Sequence, residues 1–173
     1  MSRKINVVLY EPEIYNNVGA IMRTCALANA KLHLIEPFGF IFDKRNFARS
    51  SANNFENCEY VRYDDWNDFT EKNPNADLYY LTRYGKNPIS DFNFEPIENE
   101  VFLMFGREST GIPKEILKCN KNKCFRIPMA DFGRSLNISI TVGISVYEVL
   151  RQWDYLDLSK VEVEKGKDYL DRE

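Results

Sequence analysis

The chain has one histidine, His33, and four cysteines, Cys25, Cys58, Cys119 and Cys124, none of them in a Cys-x-x-Cys pair. Zinc sites need three or four clustered thiolate or imidazole ligands, so no metal is expected. His33 sits in the middle of an apolar segment and reads as a strand-face residue rather than a general base. No apolar stretch reaches the roughly 20 residues of a membrane span. Ile5–Tyr10 is too short for the core of a secretion signal and lacks a small-residue cleavage site. The expectation is a cytoplasmic protein with reduced thiols. Basic excess is also missing. The net charge is −3, all of it in Asp154–Glu173, which holds seven acids and four bases; the rest balances at nineteen of each sign. Any nucleic-acid site must therefore come from local clustering of cations, with weak affinity for random RNA. No Gly-x-Gly-x-x-Gly follows the first strand, which removes the usual dinucleotide-binding fold.

What is present is ordinary for a soluble globular domain: 173 residues, 44% hydrophobic and 28% charged, enough for one real core. Ile5–Tyr10 reads as a buried strand, ended by Glu11-Pro12-Glu13. A helix follows, with Asn16 or Asn17 as its cap and Val18, Ile21, Met22, Cys25 and Leu27 on its apolar side. Leu32–Glu36 is a second strand, closed by Pro37. Strand, helix, strand at this spacing predicts a βαβ unit in a parallel sheet. Further on, Asp43–Asn57 holds a short helix and a loop, Tyr60–Tyr63 a strand, and Asp64 or Asp65 caps a helix through Phe69. Leu78–Thr82 is a strand, and Ile89–Pro96 is irregular, its aromatics read as local packing ahead of the alternative, a base-stacking surface. Val101–Phe105 is a buried strand that enters Gly106-Arg-Glu-Ser-Thr-Gly-Ile-Pro113. Two glycines five apart there allow close approach of backbone to a ligand, but the Gly-Lys-Ser/Thr ending of a P-loop is absent. Lys114–Cys119 forms a short helix and Lys123–Ile127 a last strand.

The chain is organised around Phe125–Gln152. A turn at Ala130–Gly133 leads to the polar knot Arg134-Ser135-Leu136-Asn137, in which Ser135 and Asn137 are good helix caps. The run from Ile138 to Trp153 is ambiguous by periodicity, and its length decides for helix. Ile138, Val142, Val146, Val149/Leu150 and Trp153 share one side, with Ile140, Ile144 and Tyr147 on another. A helix apolar nearly all round is buried in a core or against another chain, so this one is a candidate subunit interface. Gly143 in its middle costs about 1 kcal/mol relative to Ala, and permits close packing.

Three stretches together resemble the motifs of the SPOUT-class (SpoU-like) RNA 2′-O-ribose methyltransferases: Asn17-Val-Gly-Ala-Ile-Met-Arg23-Thr, Phe105-Gly-Arg-Glu-Ser-Thr-Gly-Ile-Pro113 and Arg134-Ser-Leu-Asn-Ile-Ser139. Their order and spacing span Ile5–Trp153. Arg107 stands where relatives often have Pro. The resemblance implies an α/β fold, a mostly parallel sheet flanked by helices with a deep C-terminal trefoil knot, over residues 1–156, with 157–173 a charged tail. It implies a homodimer, S-adenosylmethionine as methyl donor, and an RNA substrate. The small size and the wording Leu-Met-Phe-Gly…Ile-Pro-Met…Arg-Ser-Leu-Asn are most similar to the members that methylate the wobble nucleotide, cytidine or modified uridine, of leucine tRNAs. Ribosomal RNA as substrate and a non-catalytic RNA-binding module are the alternatives.

Carried over residue by residue, the resemblance implies that Leu81 belongs to the adenine pocket. Gly106 and Ile127 would touch the donor through backbone, and Met129, Ser135 and Leu136 would close over it. Glu108, Ser135 and Asn137 match polar positions at the reaction centre. Asn17 would order the site, and Arg23 would be the group nearest the attacking ribose hydroxyl, as proton acceptor or as stabiliser of oxyanion charge. From spacing alone Asn17 is a helix cap and Arg23 a solvated charge. Arg107, Arg126 and Arg134 are candidates to hold substrate phosphates, against the plainer reading of surface charge.

Overall fold

The computed structural model describes residues 3–51, 54–133 and 135–172, so the expected role of Arg134 lies outside the described residues. Seven segments pair as strands: β1 (Lys4–Tyr10), β2 (Lys31–Ile35), β3 (Tyr60–Tyr63), β4 (Leu78–Leu81), β5 (Asn87–Pro88), β6 (Glu100–Phe105) and β7 (Cys124–Arg126). Their order in the sheet is β3-β2-β1-β6-β4-β7-β5, and every pairing is parallel. Both faces of such a sheet are covered, which is why the central strands read as continuous apolar runs. In β1, Ile5, Val7 and Leu9 enter one core layer and Val8 the other; in β6, Val101, Leu103 and Phe105 oppose Phe102 and Met104, as the two-residue side-chain period requires.

Helices α1 (Tyr15–Leu27), α2 (Lys44–Ser50) and α5 (Ile138–Gln152) stand with the first layer, and α3 (Trp66–Lys72) and α4 (Lys114–Cys119) with the second. Polar caps set several of these boundaries. Asp43 accepts from the Arg45 amide at 2.9 Å, Asp65 from the Asp68 amide at 2.8 Å, and Asn137 from the Ser139 amide at 2.8 Å. The first helix departs from expectation: Ile14 holds the cap position and no side chain caps it. Asn17 lies within the first turn, buried, with its carboxamide committed elsewhere.

On α5, Val142, Val146, Val149 and Leu150 are buried, while Ile140, Ile144 and Tyr147 are 40–53% exposed. An added Cβ on Gly143 would meet nothing within 4 Å, so no packing inside this chain requires the glycine. The end of α5 pins the irregular segment after β5. Gln152 accepts from the Phe94 amide at 2.7 Å and donates to the Phe92 carbonyl at 3.0 Å, and the Trp153 indole donates to the Phe94 carbonyl at 2.8 Å. The Phe92 and Phe94 rings pack edge-on against Tyr79. The edge strand β5 was not expected from the sequence, since two residues with a proline carry no strand pattern.

Candidate active site

The strand order reverses between β1 and β6, and ligands in open parallel sheets bind outside the carboxyl ends of the strands at such a point. Four connections converge there: the chain after β1, after β4, after β6 and after β7. They enclose a cavity of about 330 Å³, within the size range of small-molecule sites. Leu81, Gly106, Ile127, Met129, Ser135 and Leu136 all line it, and so do Asn17, Glu108 and Asn137. Residues separated by up to 120 positions are thus brought to one place.

The loop after β6 has the shape its two glycines predict. Arg107 and Gly111 exchange backbone hydrogen bonds of 3.2 and 2.9 Å, and Gly111 adopts φ +75°, a conformation open to glycine. A Cβ on Gly106 would lie 2.1 Å from the Gly111 carbonyl carbon, so only glycine lets the loop close. Arg107 pairs with Glu11, which ties the loop to the turn after β1.

Hydrogen bonds join the three motif segments in series. The Asn137 Nδ2 donates to Asn17 Oδ1 at 3.0 Å, and the Asn17 Nδ2 donates to Glu108 Oε1 at 2.9 Å. The other Glu108 oxygen accepts from the Glu13 amide at 2.9 Å. Glu13 in turn accepts from the Ser109 amide at 2.8 Å and the Ser109 hydroxyl at 2.7 Å. Each carboxamide therefore has one defined orientation, because its oxygen and nitrogen face different partners. The sequence alone carries no sign of Glu13, whose contacts lie 95 residues away and exist only once β1 and β6 pair.

The remaining candidates are placed differently. Ser135 lines the cavity, exposed, without a hydrogen bond among the described residues. Arg126 also lines it, and its buried Nε–H has no hydrogen-bond partner among the described residues. Arg23 is on α1 beyond Asn17, exposed, and is not among the residues lining this cavity. His33 does not line this cavity. It is 2% exposed in the second core layer, with Nε2 2.9 Å from Asn6 Oδ1 and Nδ1 2.8 Å from the Tyr63 hydroxyl. Burial lowers its pKa to about 4, helped by Lys31. The neutral Nε2–H form fits both contacts, donating to Asn6 and accepting from Tyr63. Among the described residues, no group of three His, Cys, Asp or Glu is arranged to hold a metal ion, and no helix is long and apolar enough to cross a membrane.

The profile of the SpoU rRNA Methylase family matches residues 4–147. A Geobacillus stearothermophilus protein, provisionally named tRNA (cytidine(34)-2′-O)-methyltransferase, is 44% identical over 155 residues, covering 90% of this chain and 99% of its own. The Escherichia coli tRNA (cytidine(34)-2′-O)-methyltransferase is 38% identical over 152 residues, covering 87% and 95%. A solved structure, described as giving insight into the 2-OH methylation of C/U34 on tRNA, superposes with a TM-score of 0.80 at 30% identity, covering 88% of this chain and 97% of that one. These matches cover 87–90% of this chain. The chain is a methyltransferase of the SpoU rRNA methylase family.

Proposed function

We propose that this chain transfers a methyl group from S-adenosylmethionine to the ribose 2′-oxygen of nucleotide 34 of tRNA, cytidine or a modified uridine, with leucine isoacceptors as substrates. The observation that carries the reading is the hydrogen-bonded series Asn137–Asn17–Glu108–Glu13 at the wall of the cavity. The names of the relatives point to the same nucleotide and the same oxygen.

The cavity suits the donor. Leu81, Ile127 and Leu136 offer apolar walls to a base, Gly106 lets backbone approach closely, and the unpartnered Arg126 Nε–H is a free donor to a polar group. Met129, Ser135 and Leu136 belong to the segment that closes over it. Bound there, S-adenosylmethionine supplies a methyl group made electrophilic by its sulfonium sulfur. The protein's task is alignment and proton removal. Alignment of reacting atoms is worth about 7–11 kcal/mol of barrier. Glu108 fixes Asn17, Asn17 fixes Asn137, and these carboxamides, with Ser135, hold the hydroxyl in line.

Arg23 acts on the hydroxyl itself. A guanidinium stays protonated in proteins, so Arg23 stabilises developing oxyanion charge, with a substrate phosphate beside it to orient guanidinium and hydroxyl, and the hydroxyl proton leaves to solvent. Its exposure away from its own chain's cavity supports a site shared between two subunits. The exposed Ile140, Ile144 and Tyr147 on α5, with Ile14 and Tyr15 at the start of α1, form the apolar surface of that homodimer. We expect it in the cytoplasm, with its tRNA.

The test is to incubate the protein with labelled S-adenosylmethionine and total tRNA from cells lacking the activity, then map the label. Label on the ribose of nucleotide 34 of leucine tRNAs is expected. Label on other tRNA positions, or on ribosomal RNA alone, would overturn the substrate. Absence of label with donor bound would favour a non-catalytic RNA-binding module. Mixed dimers of Arg23→Ala with Gly106→Ala should recover activity in the heterodimer if the site is shared.

A further inference from the structure

A second and larger depression, about 1120 Å³, lies beside the candidate donor cavity and shares Thr82 and Arg107 with it. Its lining includes Lys86, Lys114, Lys118 and Lys121 together with Arg107, and not one acidic residue. The chain carries net charge −3, so a groove of one sign does not follow from composition. Arg107 is committed to Glu11. The four lysines have no ion-pair partner among the described residues, in contrast to Lys4, Lys31, Lys72, Lys123 and Lys160. Lys114 and Lys118 are four apart on α4, a like-charge spacing that weakens the helix itself.

The same groove presents an aromatic ring. Tyr84 is 76% exposed, yet its loop is pinned. Thr82 donates its amide to the Phe125 carbonyl at 2.9 Å, Gly85 donates to the Thr82 carbonyl at 3.1 Å, and the Tyr84 amide donates to the Thr82 hydroxyl at 3.2 Å. Gly85 sits so tightly on β7 that a Cβ there would lie 2.5 Å from the Phe125 carbonyl carbon. The ring is therefore held out by a rigid backbone, with the Arg83 guanidinium 5.5 Å from its centroid. Cations beside an exposed aromatic are the elements of a single-stranded RNA surface, phosphates on the cations and a base on the ring.

We infer that the groove bounded by the Thr82–Lys86 loop and α4 seats the RNA strand flanking the methylated nucleotide. Lys86, Lys114, Lys118 and Lys121 neutralise its phosphates, and Tyr84 stacks on an unpaired base. This rests on the tRNA reading above and adds where the strand runs once its ribose has entered the donor cavity.

The experiment compares the wild type with Lys86/Lys114/Lys118/Lys121→Ala, Tyr84→Ala and Tyr84→Phe. Binding of tRNA is followed by fluorescence anisotropy from about 50 to 200 mM salt, donor binding by calorimetry, and methyl transfer by label. The four-lysine variant should bind the donor as wild type does, and its plot of log affinity against log salt should be shallower by about 3. Its KM for tRNA should rise roughly tenfold or more, with kcat at saturating tRNA retained. Tyr84→Ala should weaken tRNA binding by roughly 5- to 150-fold and Tyr84→Phe should not. A second measurement needs no variant: acetylation of these four lysines in the wild type should be suppressed by tRNA. Wild-type salt slope in the lysine variant, or full acetylation under bound tRNA, overturns the groove while leaving the methyltransferase reading intact. A wild type that binds the donor but neither binds nor methylates tRNA overturns that reading and, with it, this one.

Discussion

Exchanging the amide and the carboxylate in the central hydrogen bond of the site should harm the protein twice singly and little in combination. In Asn17→Asp, a carboxylate replaces the amide whose nitrogen stands 2.9 Å from Glu108. The loss of a charge-assisted hydrogen bond costs about 1.5–3 kcal/mol, and two full charges at that distance would repel by about 6 kcal/mol at an effective dielectric constant of 20. Uptake of one proton caps the total. Near pH 7, about three units above a carboxyl pKa, the cap is about 4 kcal/mol. With Asn17 buried, a loss of about 3–4 kcal/mol is expected, or roughly 10 °C in Tm for a chain of this size. In Glu108→Gln, the single carbonyl oxygen can serve either Glu13 N–H or Asn17 Nδ2 but not both, for about 2 kcal/mol.

In the double variant Asn17→Asp/Glu108→Gln, the new amide donates to the new carboxylate. The amide's oxygen still accepts from Glu13 N–H, and the carboxylate still accepts from Asn137 Nδ2. Every donor regains an acceptor. The double variant should therefore melt within a few degrees of wild type, with a coupling energy of about 3 kcal/mol or more in the cycle. Calorimetric melts of all four proteins at pH 7 measure it. The Asn17→Asp deficit should also shrink toward pH 5, because the folded state then carries the shared proton cheaply. Additive losses in the double variant would refute the series as drawn.

Three further outcomes follow from other parts of the molecule. Burial holds the His33 pKa at about 4, below its unfolded value near 6.5. The unfolded chain then binds a proton that the folded one refuses, so stability is complete above about pH 6.5 and falls by about 3 kcal/mol on acidification to 4; urea midpoints of wild type and His33→Gln should converge over that window. Gly106→Ala forces a Cβ to within 2.1 Å of the Gly111 backbone, and calorimetry should find donor affinity reduced at least roughly tenfold, equivalent to about 1.4 kcal/mol or more; wild-type affinity would mean the loop has slack. Ile144→Glu, at a position 40% exposed in the single chain, should sediment as a monomer where wild type sediments as a dimer, and a monomeric wild type at micromolar concentration would remove the proposed interface.

Local pattern made much of this fold legible. Tyr60–Tyr63 and Lys114–Cys119 have the boundaries read from sequence, and Glu100–Phe105 and Ile138–Gln152 lie within one residue of theirs, because burial on two faces writes continuous apolar runs and a polar cap writes a start. Of the ten residues that the motif resemblance named, nine, all but Arg23, line one cavity; their roles there are proposals. What local pattern misjudged was the employment of polar side chains. Asn17 has the composition of a cap, but a tertiary acceptor, Glu108, takes its amide 91 positions away. His33 reads as a strand-face residue, and only the pairing of β1 with β2 and of β2 with β3 supplies Asn6 and Tyr63 as partners.

Charge was the hardest property to read, and the reason is geometric. A net of −3, all of it from the tail, hides both the cation groove and the acid series, because Lys86 and Lys121 come together through parallel strands whose neighbours are distant in sequence. Glu13 and Glu108 meet in the same way. Parallel pairing makes this general: each strand end is joined to the next by a crossover, so the loops that share a carboxyl-end crevice come from distant parts of the chain. In such a sheet the sum of charges along the chain says little about the field in the crevice. The sign of each loop that follows a strand says more, and here the loops after β1 and β6 bring the paired acids while the loop after β4 and the α4 segment bring unpaired lysines. A bound RNA would meet the lysines without displacing an internal ion pair, so a net charge of −3 need not oppose its binding.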